Sequence, residues 1–303
     1  MNYEQLLEKL VADDDRFIIM TSENRAAIRN LPDKIGNRFI DTGITEMTQV
    51  GMAAGLALRG RIPITHALAS FLTMRAFEFI RTDVGIPNLP VKLVGGFSGL
   101  LSEANGPTHQ ALEDVSLMRG IPNVNVFCPA DEDDMVKCIE SVLKSSSPYY
   151  IRFNNRKSLY KHASDFNEGS AEIIKDIGYV TILSSGVLFR EALEVMHLLE
   201  RNKIQTGLIN LRTLKPIDED IIVKSLNRSY LTVTIEDHFL TGGLFSIVSE
   251  IALKNNISGK VLPFGFKDKW FKPALFTDAL IHEELTPLYI LERILAEFDH
   301  INE

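Results

Sequence analysis

Glu46 opens a nearly uncharged stretch, Glu46-Met-Thr-Gln-Val-Gly-Met-Ala-Ala-Gly55, and follows a strand-like run and the turn-forming Asp41-Thr-Gly-Ile-Thr45. A carboxylate in that place has two readings. One is helix-start chemistry, because free amides and the helix dipole stabilise acids there. The other is a lone proton-sharing group, since burial among small apolar residues raises a carboxyl's proton affinity. His109 ends a Gly/Ser-rich loop, residues 95–110. Its imidazole suits either loop structure or hydrogen bonding and proton shuttling toward a ligand's oxygens. Phe71, Met74 and Phe77 recur at helical spacing, as a core stripe or as a cofactor box. Glu236-Asp-His238 precedes Gly242 and Gly243, a pair suited to a tight turn or a close backbone approach.

Alternating strands and helices must position these residues. Apolar runs at 17–20, 38–40, 62–67, 91–94, 124–128 and 149–153 predict strands, separated by helical stretches at 3–12, 46–58, 71–83, 111–119 and 131–144. The segment 159–174 is polar and lacks a period, which predicts a linker. Alternation then resumes, with strands at 180–183, 205–210, 231–236 and 260–264 and helices at 188–201, 218–226, 243–254 and 286–298. The expected fold class is α/β, with two doubly wound domains of mostly parallel sheet at 1–158 and 175–303. In open α/β sheets ligands gather at the carboxyl ends of strands, which is where the 95–110 loop falls.

Composition narrows the function classes. A formal charge of −8 argues against a nucleic-acid binder. The two cysteines, Cys128 and Cys138, lack metal-ligand spacing and fit a reducing, cytoplasmic setting. The N-terminus does not resemble a signal peptide, and no apolar run is long enough to span a membrane. The sequence also lacks a dinucleotide fingerprint, a P-loop, a nucleophile elbow and a His-Glu-x-x-His motif.

Together the stretches resemble the thiamine diphosphate enzymes of the transketolase family over nearly the whole chain. Gly43-Ile-Thr-Glu-Met47 resembles the pattern around that family's cofactor-activating glutamate. Gly106-Pro-Thr-His-Gln110, followed by Ile121-Pro-Asn-Val-Asn-Val-Phe-Cys-Pro-Ala-Asp131, resembles its substrate loop and next strand. Asn210-Leu-Arg-Thr-Leu-Lys-Pro-Ile-Asp218 and the Glu236-Asp-His element resemble its C-terminal domain. The likeness covers the pyrimidine-binding and C-terminal domains only; the Gly-Asp-Gly metal motif of the diphosphate domain is absent. The resemblance therefore implies the C-terminal subunit of a split transketolase, with thiamine diphosphate as cofactor and Mg2+ held mainly by a separate N-terminal subunit. Two copies of each chain, a heterotetramer, follow from the family's symmetry.

The resemblance also assigns roles. Glu46 would bond the far nitrogen of the cofactor's aminopyrimidine, favouring the imino tautomer whose nitrogen takes the thiazolium proton. Phe71 would stack on that ring, with Met74 and Phe77 as further wall. His109 would face substrate oxygens. Departures from the family pattern bear on the sugar. Phe97 replaces a second histidine, and Asn105 replaces an aspartate that reads a hydroxyl. The phosphate-binding arginine corresponds to Arg156 or, without a gap, to Asn155. These changes point to a modified ketose or aldose, such as one lacking a phosphate. A 2-oxoacid dehydrogenase beta subunit, a deoxyxylulose-phosphate-synthase-like enzyme and a non-catalytic paralogue are the competing readings.

Overall fold

In the computed structural model, which describes residues 1–299, the alternation in the sequence becomes two sheets. The first half supplies β1 (Phe17–Thr21), β2 (Phe39–Asp41), β3 (Ile62–Leu68), β4 (Lys92–Gly96), β5 (Asn125–Phe127) and β6 (Tyr149–Arg152). The second supplies β7 (Glu172–Lys175), β8 (Val180–Ser185), β9 (Thr206–Asn210), β10 (Thr213–Lys215), β11 (Leu231–Phe239) and β12 (Val261–Phe266). Helices α1 (Tyr3–Asp13), α2 (Leu31–Ile35), α3 (Glu46–Leu58), α4 (Phe77–Phe79), α5 (Asp114–Arg119) and α6 (Glu132–Lys144) belong to the first half. Helices α7 (Phe189–Arg201), α8 (Glu219–Arg228), α9 (Leu244–Lys254), α10 (Phe276–His282) and α11 (Pro287–Asp299) belong to the second. Side-chain caps define several starts: Asn2 and Gln5 form a capping box on α1, while Asp131 and Asp218 cap α6 and α8.

The first sheet runs β10-β5-β6-β4-β3-β1-β2 and the second β12-β11-β8-β9-β7. Every pairing is parallel except β10 with β5 and β7 with β9. The central strands are buried on both faces, as sheets covered by helices require. The second half thus contributes an edge strand, β10, to the first sheet. One apolar cluster also runs through both halves, from Val50 and Leu93 to Leu214 and Val248.

Several elements differ from the sequence expectation, each for a local reason. β7 and β10 are short, partly polar edge strands, too brief for a period-two signal. β7 begins at Glu172, inside the stretch expected as linker. That stretch is also tied down, because Arg212 donates to the Ala163 and Asp165 carbonyls. The helix expected from 111 starts at Asp114, since Ala111 instead bridges to Gly99. The helix expected over 71–83 is broken into a π-helical turn at Phe71–Arg75, the single turn α4, and a second π-helical turn at Ile80–Gly85. Strand β11 continues past 236, drawing Glu236, Asp237 and His238 into the buried sheet.

Candidate functional site

The carboxyl ends of β2, β3, β4 and β6 lead directly into the residues singled out by sequence. β2 leads through a turn to α3, whose first residue is Glu46, only 2% exposed. β3 leads to the π-helical turn carrying Phe71 and Arg75, and β4 to the loop carrying Phe97 and His109. β6 leads to Asn155 and Arg156. Gln49, one turn along α3, ties that helix to the first sheet: it donates to the His66 carbonyl and accepts from the Ser22 hydroxyl.

Glu46, Arg75, Phe71 and His109 form a chain of contacts. Arg75 Nη1 donates to Glu46 Oε2 at 3.0 Å, and the Arg75 guanidinium lies 4.2 Å from the Phe71 ring centroid. The Phe71 ring meets the His109 imidazole edge-to-face at 4.9 Å. His109 Nδ1 is 2.9 Å from the Thr108 hydroxyl. The expectation of an uncharged environment for Glu46 is therefore corrected, because its carboxylate is ion-paired. Arg75 went unnoticed in the sequence, although it is the only charged residue between Ser70 and Phe77. The π-helical turn brings it back onto Phe71. π-helical turns are uncommon and cluster at functional sites.

The Arg75 contacts also show what the gap between Glu46 and Phe71 accepts. A guanidinium is planar, carries N–H donors on its edge and stacks by its face. A flat ring with an N–H on its edge would meet the same carboxylate and the same aromatic face, whereas a ring nitrogen that only accepts would need the proton to come from Glu46. Met74 is half-buried in the same turn. Phe77 packs against the first hydrophobic cluster.

A second group surrounds a cavity of about 240 Å³ lined by Asn24, His66, Phe97, Glu103, Asn155 and Arg156, among others. Phe97 and Arg156 therefore share a wall, as does Asn155, the alternative to Arg156. Asn105 is exposed on the short turn Glu103–Asn105, and Glu103 takes the cavity-facing place beside it. Arg152 is unavailable to a ligand. It is buried and donates to Asp114 Oδ2 and Asp237 Oδ1, both at 2.9 Å. His66, also missed in the sequence, accepts from the Tyr3 hydroxyl at 2.9 Å and donates through Nδ1 to the Met20 carbonyl at 3.2 Å. Burial lowers its pKa to about 4, so it stays neutral and presents no charge to the cavity.

The Glu236-Asp-His element is a strut between the halves. Glu236 accepts from the amides of Leu244 and Phe245 at the start of α9, and burial still raises its pKa to about 8. A side chain on Gly243 would come within 2.0 Å of Glu236 Oε2, which accounts for the glycine. Burial also raises the pKa of Asp237 and lowers that of His238 to about 4. A second network joins Asp134, His162, Glu172, Asn210 and Arg212. Among the described residues, Asp134, His162 and Glu172 bring ligand-type atoms within 4.8 Å of one another. Arg212 is a cation among them, 2.7 Å from Asp134 Oδ1 and 2.8 Å from Glu172 Oε1, and His162, its pKa raised to about 9, is a second.

Residues 2–161 match the transketolase pyrimidine-binding domain, and residues 169–285 match the transketolase C-terminal domain. The chain is 33% identical over 257 residues to the 6-deoxy-6-sulfo-D-fructose transketolase subunit SqwH of Clostridium sp. (strain MSTE9), covering 84% of this chain and 80% of that one. It is 34% identical over 264 residues to a putative transketolase C-terminal section of Methanocaldococcus jannaschii, covering 86% and 83%. A 1-deoxy-D-xylulose-5-phosphate synthase of Clostridium tetani is 30% identical over 272 residues, but the match spans only 44% of that protein. A solved structure described as a split gene transketolase, inactive beta4 tetramer, superposes with a TM-score of 0.87 at 29% identity, covering 97% of this chain and 96% of that one.

Proposed function

The chain belongs to the transketolase family and has the two domains of a split transketolase's C-terminal subunit; from that premise we propose how its residues act. Joined to a chain carrying the diphosphate-binding domain and its Mg2+, it transfers a two-carbon ketol unit from a ketose donor to an aldehyde acceptor. The observation that carries this reading is the guanidinium seated between the Glu46 carboxylate and the Phe71 ring, a stand-in for the cofactor's aminopyrimidine.

Bound thiamine diphosphate supplies the carbanion-stabilising thiazolium. Glu46 would hold the far nitrogen of the pyrimidine ring by a shared proton, the arrangement that favours the imino tautomer. Phe71 orients the ring by stacking. His109, in edge contact with Phe71, hydrogen-bonds an oxygen of the ketose or the aldehyde. Arg75 swings out when the cofactor seats, which its exposed position allows.

The cavity lined by Phe97 and Arg156 would take the far end of the sugar. Phe97 offers no hydrogen bond where a histidine would, while Arg156 offers a cation. These walls suit a ketose with an apolar-tolerant middle and one terminal anion, either phosphate or sulfonate. The likeness to a subunit acting on a sulfosugar supports the sulfonate. The partner would cover the outward face of α3, where Met47, Met52 and Leu58 are exposed and no atom lies within 4 Å of a side chain built on Gly55. A heterotetramer of two chains of each kind fits this arrangement. Among the described residues no helix is long and apolar enough to cross a membrane, and the free cysteines suit a reducing cytoplasm.

The test is Glu46→Gln in the reconstituted two-chain enzyme. Ketol transfer should fall to background while assembly and unfolding temperature stay near wild type. Normal turnover by this variant would end the assignment. Release of carbon dioxide from a 2-oxoacid, in place of ketol transfer, would favour a 2-oxoacid dehydrogenase or a deoxyxylulose-phosphate synthase. The isolated chain should bind thiamine diphosphate weakly, and tight binding in calorimetry would contradict a shared site.

A further inference from the structure

Arg156 has an unusual supporting contact, made by the other domain. Its guanidinium carbon lies 4.6 Å from the ring centroid of Phe276, the first residue of α10 and only 4% exposed. Its Nη1 is buried and has no hydrogen-bond partner among the described residues. The Phe276 amide donates to Glu103 Oε1 at 3.1 Å, and Glu103 lines the same cavity as Arg156. Glu103 has φ +44°, a left-handed conformation that a non-glycine residue keeps only where its surroundings hold it. Three residues on, a side chain at Gly106 would come within 2.8 Å of Pro273. The segment 273–276 of the second domain therefore clamps both ends of the turn at 103–106 and the face of Arg156.

We propose that Phe276 is a positioning residue for substrate recognition. It holds Arg156 by its flat face and leaves the guanidinium edge free for the anionic end of the sugar. The physical argument is one of geometry. A carboxylate partner would occupy the N–H edge that a phosphate or sulfonate needs for two parallel hydrogen bonds. An aromatic ring anchors the same group through its face and uses none of its donors. Glu103, which lines the cavity, is drawn onto the Phe276 amide by the same clamp, and the buried Glu191, which feels the Arg156 charge, makes no hydrogen bond to it among the described residues. Nη1, buried and unpartnered, gains a partner only when a ligand oxygen displaces what covers it. The second domain thereby takes part in choosing the substrate.

This inference rests on the proposed function, and the experiment separates the two. The two-chain enzyme is assayed with fructose 6-phosphate and 6-deoxy-6-sulfofructose as anionic donors and with erythrulose as a donor lacking an anion. Phe276→Leu keeps the apolar filling but removes the ring. It should raise KM for the anionic donor that the enzyme uses about tenfold, with kcat held and erythrulose unaffected. Phe276→Tyr, which keeps the ring, should restore KM. Arg156→Gln should raise the same KM at least as much, and adding Phe276→Leu to it should change nothing further. If Arg156→Gln raises KM and Phe276→Leu does not, the positioning role is overturned while the proposed function stands. If Arg156→Gln leaves the anionic KM unchanged, Arg156 is not the anion site and the proposed substrate end falls with it. A Phe276→Leu effect equal for erythrulose and the anionic donors would indicate a general packing defect and would also overturn the inference.

Discussion

Replacing Arg75 with Met should make the two-chain enzyme bind thiamine diphosphate more tightly. Arg75 occupies both Glu46 and Phe71, so under the proposed function the cofactor would have to displace it from each. A hydrogen bond to a charged group contributes about 1.5–3 kcal/mol where solvent is excluded. The Arg75 side chain is 43% exposed, so water screens the pair and about 1 kcal/mol is the better figure. A guanidinium over an aromatic face adds about 0.5–1 kcal/mol at an exposed site. Displacement thus costs about 1.5–2 kcal/mol, equivalent to about tenfold to thirtyfold in affinity. Methionine keeps the stem's length and loses the charge. Isothermal calorimetry on the reconstituted complex should show the dissociation constant falling by that factor. In a Glu46→Gln background the Arg75→Met gain should shrink, because the two residues act on one contact. An unchanged or weaker affinity for Arg75→Met would refute the reasoning, and a weaker one would mean that Arg75 holds the bound cofactor.

Two further expectations concern the joint between the halves. Arg152→Met removes the cation shared by Asp114 and Asp237, which are both buried, and should lower the unfolding free energy in urea by about 3–5 kcal/mol; a loss below about 1 kcal/mol would contradict the strut. His162 is pushed to about 9: burial opposes its charge, but hydrogen bonds to Asp131 and Glu172 outweigh it. A raised pKa means that its stabilisation is complete below the unfolded value of about 6.5 and is lost as pH rises through about 9. Urea unfolding midpoints should therefore drop between pH 6 and 9.5, and His162→Gln should flatten that drop; an equal drop in both proteins would place its cause elsewhere.

How far the site could be read in the sequence depended on the distance over which each contact is made. The start of α3 at Glu46 was legible because a Gly-containing turn and a run of small residues are local signals. So was the alternation of strands and helices, since most strands are fully buried and therefore continuously apolar. The segment that carries the aromatic stripe is not a regular helix, since Phe71–Arg75 is a π-helical turn, and Phe77 packs against the core. The pairing of Arg75 with Glu46 spans 29 residues, and that of Tyr3 with His66 spans 63. No local pattern announces such contacts. The same holds for Phe276 and Glu103, which lie 173 residues apart and in different domains.

The charges buried between the halves have a purpose that packing alone would not supply. A wholly apolar joint can slide, because many registers bury similar area. Arg152 between Asp114 and Asp237 tolerates little sliding, because any displaced register leaves a charge buried and unpaired. Arg212 between Asp134 and Glu172 imposes the same condition at a second point, and two points restrict rotation as well as translation. β10 adds a third fixed element by completing the edge of the first sheet. A domain held this firmly can place Phe276 against Arg156 to within the tolerance that a stacking contact needs. A loosely tethered domain could not hold that contact, so the proposed role of Phe276 depends on these ion pairs.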